Sequence, residues 1–158
     1  MKKLIILTFL HIVLCSSVSY AQKDFQRFYN EHRNDTGVQS FDVSTSLFRF
    51  LFKNQDPDSH ILNNISRVSL FMSDSATPDL KRSLYAHLPQ RMYKDLMEIQ
   101  TERSGVRFII RETREGIEEL LFIADEDNSL FVLSITGFMT FEEAAALAGS
   151  VDLSGYMD

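Results

Sequence analysis

The sequence predicts an α+β domain. It has one mixed five-stranded sheet, ending in an antiparallel three-strand meander, with helices packed mainly on one face. Three observations predict it. The last third of the chain holds three alternating, β-rich runs separated by short turn sequences. The first half alternates helical and strand periods, which favours a sheet with crossover helices. Apolar residues make up 44% of the chain, enough to fill one core at this length.

Taken in order, Phe25, Phe28, Tyr29 and His32 fall at i, i+3, i+4 and i+7, so Asp24 to Arg33 reads as a helix, ended by Gly37. Val38 to Ser44 alternates as a strand. Leu47 to Phe52 is densely apolar, and a short helix over Thr45 to Lys53, capped by Ser44 or Thr45, is expected there. A loop rich in Asn and Asp follows, then a strand from Ile65 to Ser73. Thr77-Pro78 is an N-cap with Pro at the first helical position, opening a helix to His87 that Pro89 ends. A second helix is expected to run to about Arg103, with Met92, Tyr93, Leu96, Met97 and Gln100 as its inner stripe. Val106 to Thr113, Ile117 to Asp125 and Ser129 to Thr136 are the meander strands. Thr140-Phe141-Glu142-Glu143 is a capping box that opens a last helix, stopped by Gly149.

The first 21 residues read differently from the rest. Met1-Lys2-Lys3 is a positive n-region, Leu4 to Leu14 an apolar run, and Ser19-Tyr20-Ala21 a small-residue cleavage site. The run is too short to span a bilayer, which needs about 20 residues. Residues 1–21 are therefore expected to be a cleaved signal peptide, cut between Ala21 and Gln22. Residues 22–158 would then be a single domain, periplasmic or secreted, with no stable membrane anchor. Cys15 could in principle carry a lipid, but Leu14 before it is not the small residue that lipoprotein processing requires. Removing the signal takes away the only cysteine and two lysines, so the formal charge moves from −6 to −8. A thiol-free chain forms no disulfide, thiol nucleophile or thiolate metal site. An acidic one is a poor nucleic-acid partner.

No catalytic, cofactor-binding or metal-binding residues are expected. His32, His60 and His87 lie in separate segments, without the i, i+4 partner of a helical metal site. Asp125-Glu126-Asp127-Asn128 lacks the spacing of a calcium loop and reads as a hairpin turn. Arg103, Arg107, Arg111 and Arg114 form the one basic run, and Glu112, Glu115, Glu118 and Glu119 are placed to neutralise it across a strand ladder. There is no nucleophile elbow and no phosphate loop, and a Ser/His/Asp triad assembled by folding is not expected. Leu47–Phe52 reads first as a buried element and second as an exposed patch for a partner or an apolar ligand.

Several stretches together resemble a known family. They are Ala21-Gln22, Phe25-Gln26-Arg27-Phe28-Tyr29, the strand from Gly37 to Ser44, Leu96-Met97, Gly105 to Glu112, and Val132 to Gly137. The pattern resembles the family called domain of unknown function 4252, small exported proteins found mainly in the Bacteroidetes. The resemblance implies an exported single-domain protein and brings no activity and no site residues. The expectation is a non-catalytic envelope protein that binds an unknown protein partner. The alternative is a periplasmic protein that binds a small apolar ligand, and an enzyme is less expected than either.

Overall fold

The structure is a computed structural model and describes residues 24–47, 63–101 and 104–149. The expected signal peptide, most of Leu47–Phe52, His60 and Arg103 lie outside the described residues.

The described residues form one six-stranded sheet with three helices of eight residues or more. In chain order these are α1 (Phe25–His32), β1 (Val38–Val43), β2 (Ile65–Ser73), α2 (Pro78–His87), β3 (Tyr93–Gln100), β4 (Ser104–Glu112), β5 (Ile117–Glu126), β6 (Leu130–Met139) and α3 (Phe141–Gly149). The sheet order is β1-β2-β6-β5-β4-β3, and every neighbouring pair is antiparallel. This corrects the mixed five-stranded sheet, although the class remains α+β.

The correction has two physical causes. The first is β3, which the residue spacing assigns to a helix. A register shift between Asp95 and Met97 inserts one extra residue. Tyr93 therefore faces one side of the sheet, while Leu96 and Ile99 pack on the other. A bulge breaks strict alternation and leaves a spacing that imitates a helical stripe. The second cause is where α2 takes the chain. It returns the chain so that β3 runs in the same direction as β2, as a crossover helix should. It delivers β3 to the far edge of the sheet, however, with β6, β5 and β4 in between. No parallel pair becomes adjacent.

Local signals account for the other elements. Asp24 caps α1 by accepting from the Arg27 N–H at 3.0 Å. Thr77 does the same for Leu80 at 3.2 Å, with Pro78 at the start of α2. Residues 45–47 form a helical turn, and the Ser44 hydroxyl accepts from the Leu47 N–H. Both halves of the capping box are made: Glu143 N–H donates to Thr140 Oγ1 at 3.2 Å and Thr140 N–H to Glu143 Oε2 at 2.7 Å.

The sheet is buried on both faces. Phe25, Phe28 and Tyr29 of α1 and Leu84 of α2 cover Phe71, Ile109, Leu121, Ile123 and Val132. Ala144, Leu147 and Ala148 of α3 cover Val106, Phe108, Ile110, Leu120, Phe122 and Ile135 on the other face. Two described helices thus share one face and the third takes the opposite one. Gly137 is where β6 meets the start of β2 most tightly. A Cβ there would stand 2.8 Å from Ile65 Cα and closer still to the Asn64 carbonyl.

Candidate functional site

One end of the sheet concentrates the polar chemistry. There β2, β3 and β5 begin and β1, β4 and β6 finish. Register shifts at Ile65/Arg67, Arg111/Glu112 and Ile117/Glu119 all fall at this end. Bulges of this kind re-aim side chains. The register lines up Arg67, Thr136, Glu119, Arg111 and Tyr93 in one row across five strands, on the face that carries α1. Most of this row floors a groove of about 690 Å³ beside α1, walled by Asp24, Gln26, Arg27, Asn30 and Glu31.

Glu119 is the centre of the row and is 3% exposed. Burying a carboxyl is costly unless it is hydrogen-bonded. Tyr93 Oη donates to its Oε2 at 2.7 Å and Ser134 Oγ to its Oε1 at 2.7 Å. The Tyr93 hydroxyl also accepts from the Phe25 N–H at 3.3 Å, so the first turn of α1 is tied to the middle of the sheet. Burial pushes the Glu119 carboxyl above its ordinary range, against the opposing pull of the two hydroxyls and Arg111. Burial and the nearby Glu119 also push the Tyr93 phenol far upward. Arg111 is ringed by Asp24, Glu118 and Glu119, each at 3.7 Å. Its Nε is buried without a hydrogen-bond partner.

The sequence expectation that Arg111 meets Glu118 or Glu119 holds for both residues. Asp24 and Tyr93 were not foreseen as members of the site. Asp24 is recognisable only as a helix cap, and Tyr93 was assigned to a helix. Arg107 is neutralised from β3, by Asp95 and Glu98, and lies 5.5 Å over the Tyr85 ring.

The acidic turn Asp125-Glu126-Asp127 lines a second cleft, of about 470 Å³. A cation already sits in it. Lys81 Nζ pairs with Asp125 Oδ1 at 2.6 Å and donates to the backbone carbonyls of Glu126 and Asp127. The ammonium occupies the oxygen-lined place that a calcium ion would want. Among the described residues no His, Asp and Glu cluster is arranged to hold a metal. Both clefts are lined mainly by charged and polar side chains. An apolar pocket lined by Phe48, Phe50 and Phe52 would fall outside the described residues.

Folding does assemble a Ser/His/Asp chain. His32 Nδ1 lies 2.7 Å from Asp35 Oδ2 and Nε2 lies 2.9 Å from Ser83 Oγ. The carboxylate fixes the tautomer, so Nδ1–H donates to Asp35 and Nε2 accepts from the Ser83 hydroxyl. These residues are 51 positions apart and no local signal connects them. Among the described residues, two parts of a hydrolase are not found around Ser83, however. Ser83 sits inside α2, where backbone N–H groups are committed to the helix and cannot form an oxyanion hole. Neither described cleft reaches it. Its surroundings are those of a helix–helix tie. Phe28 lies 4.8 Å from the His32 ring and 6.1 Å from that of His87, and His87 Nδ1 donates to the Ser83 carbonyl at 2.8 Å.

Large apolar side chains remain exposed at the same end of the sheet as the groove. Phe138, next to last in β6, is 49% exposed, and Phe141, which opens α3, is 57% exposed. Leu47, which follows β1 at that end, is 51% exposed. Phe41 and Met97 lie on the two opposite edge strands and so belong to no common patch. Sequence reasoning passed over Phe138 and Phe141. Their signal is that they bracket Met139 and Thr140, whose places in the core and the capping box turn both aromatics outward.

No described helix is long and apolar enough to cross a membrane. No curated protein and no solved structure matches the chain. The family does have a match: residues 29–147, well over half of the chain, fit the family described as Domain of unknown function (DUF4252), and the protein belongs to it.

Proposed function

We propose that this protein is exported, cleaved between Ala21 and Gln22, and acts outside the cytoplasm as a non-catalytic protein-interaction module. The observation that carries the reading is the Phe138–Phe141 pair. Two half-exposed aromatics three residues apart are the kind of anchor that dominates binding energy at interfaces. Gly116 sits against Phe138, whose ring is 3.2 Å from the place a Cβ would occupy. Arg114, Glu115 and Glu118 flank Gly116 and Glu142 follows Phe141; all four are exposed and supply a polar rim. The partner is an envelope protein with an apolar recess for these rings.

Replacing Phe138 and Phe141 together by serine tests this reading. Stability should stay within about 0.5 kcal/mol, because neither ring is in the core. A partner recovered with the wild-type protein from envelope fractions should be lost. A partner retained at full yield would count against the surface. The export step is read from the intact mass of the mature chain, expected to begin at Gln22. The non-catalytic reading predicts that a fluorophosphonate probe leaves Ser83 unlabelled. Rapid labelling of Ser83 that disappears in His32→Ala would overturn it.

A further inference from the structure

We propose that the groove beside α1 binds a small zwitterion, an α-amino acid, with its carboxylate on Arg111 and its ammonium on Asp24. Three carboxylates face Arg111 as loose ion pairs. Arg111 Nη1 stands 3.7 Å from Asp24 Oδ2 and Nη2 stands 3.7 Å from Glu118 Oε2, both too long for a hydrogen bond. Arg111 Nε faces Glu119 Oε2 at 3.7 Å and, although buried, makes no hydrogen bond either. A buried donor in that condition normally has something to meet. Asp24 spends Oδ1 on the helix cap and presents Oδ2 to Arg111.

A ligand that answers both sides must carry an acceptor and a cation close together. An α-amino acid does so on one carbon, with both bonds to it about 1.5 Å long. Its ammonium and carboxylate oxygens then lie about 3 Å apart, close enough for one to reach Asp24 while the other reaches Arg111. A simple anion would meet repulsion from Asp24 and Glu118, and a simple cation would meet Arg111. The floor favours the anionic end where it should. Burial holds Glu119 toward its neutral form, so it competes less for Arg111. Ser66 and Thr136 add hydroxyls to the groove, whose volume of about 690 Å³ suits a small molecule.

The test titrates the ¹⁵N-labelled protein with a panel of L-α-amino acids and follows the Arg111 Nε–Hε resonance. Sodium acetate and methylammonium chloride are titrated separately. At least one amino acid should move that resonance saturably and bind about tenfold or more tighter than acetate. Asp24→Asn keeps the helix cap, because asparagine caps as well as aspartate. In that variant the advantage over acetate should vanish while the fold is unchanged. A resonance that no amino acid moves would overturn the proposal. So would acetate binding as tightly as the best amino acid, or Asp24→Asn leaving the preference intact.

Discussion

Replacing Phe28 by alanine should lower the unfolding free energy by about 3–5 kcal/mol, the range for deleting a fully buried aromatic. Phe28 is 0% exposed and lies where α1, α2 and the sheet meet. Its ring packs 5.0 Å from Phe71 on β2 and 6.2 Å from Phe25 on its own helix. Both histidine rings of the α1–α2 contact lean on it too. No neighbour is free to fill the void, because Phe25, Tyr29, Phe71 and Leu84 are themselves fully packed. Urea denaturation reads the effect. A loss below about 1 kcal/mol would mean that α1 is not part of the cooperative core. Conservative Phe28→Leu should recover most of the loss.

Arg111→Met should cost about 3 kcal/mol at neutral pH, the low end of the range for breaking a buried pair, given separations of 3.7 Å. The variant leaves Glu119 buried beside Asp24 with no cation among them. Adding Glu119→Gln should restore much of the loss, since the amide keeps an acceptor for Tyr93 and Ser134 without the charge. The pH dependence carries the sign of the Glu119 shift. Its pKa in the folded protein is raised above 4.5. The folded state therefore holds the proton more tightly than the unfolded chain does. The stability this contributes is fully present below about 4.5 and is lost as pH rises through the folded-state value. Denaturation of wild type and Glu119→Gln across that window isolates the contribution. The wild type should lose stability relative to Glu119→Gln as pH rises. A difference that stays flat, or grows in favour of the wild type, would show that the carboxyl is not held toward its neutral form.

The parts of the fold legible in the sequence are those encoded locally. The α1 stripe, the Thr77-Pro78 start of α2, the β4–β5–β6 meander and the Thr140 capping box each rest on residues a few positions apart. What was not legible depends on distant partners. Nothing near Asp95 announces the bulge that turns Tyr93–Gln100 into an edge strand, because β3 takes its shape from pairing with β4. Nothing in α2 says that it carries the chain past three strands before the next one pairs. The site divides along the same line. Strand alternation offers Glu118 or Glu119 to the β4 arginines, depending on register, and the structure puts Glu119 opposite Arg111. Tyr93 joins the row from a strand read as a helix, and Asp24 joins from above it, through the packing of α1 on the sheet. His32 and Ser83 meet only because α1 and α2 share a face.

The sheet end carrying Phe138 and Phe141 is proposed as a protein-binding surface. Site-specific photo-crosslinking in living cells tests it most directly. A photoreactive residue is placed at position 138 or 141, and at Asn128 on the opposite end of the sheet as a control. One discrete crosslinked adduct, of the same partner, is expected from 138 and from 141 and none from 128. No adduct from either aromatic position, or the same adduct from all three, would contradict it.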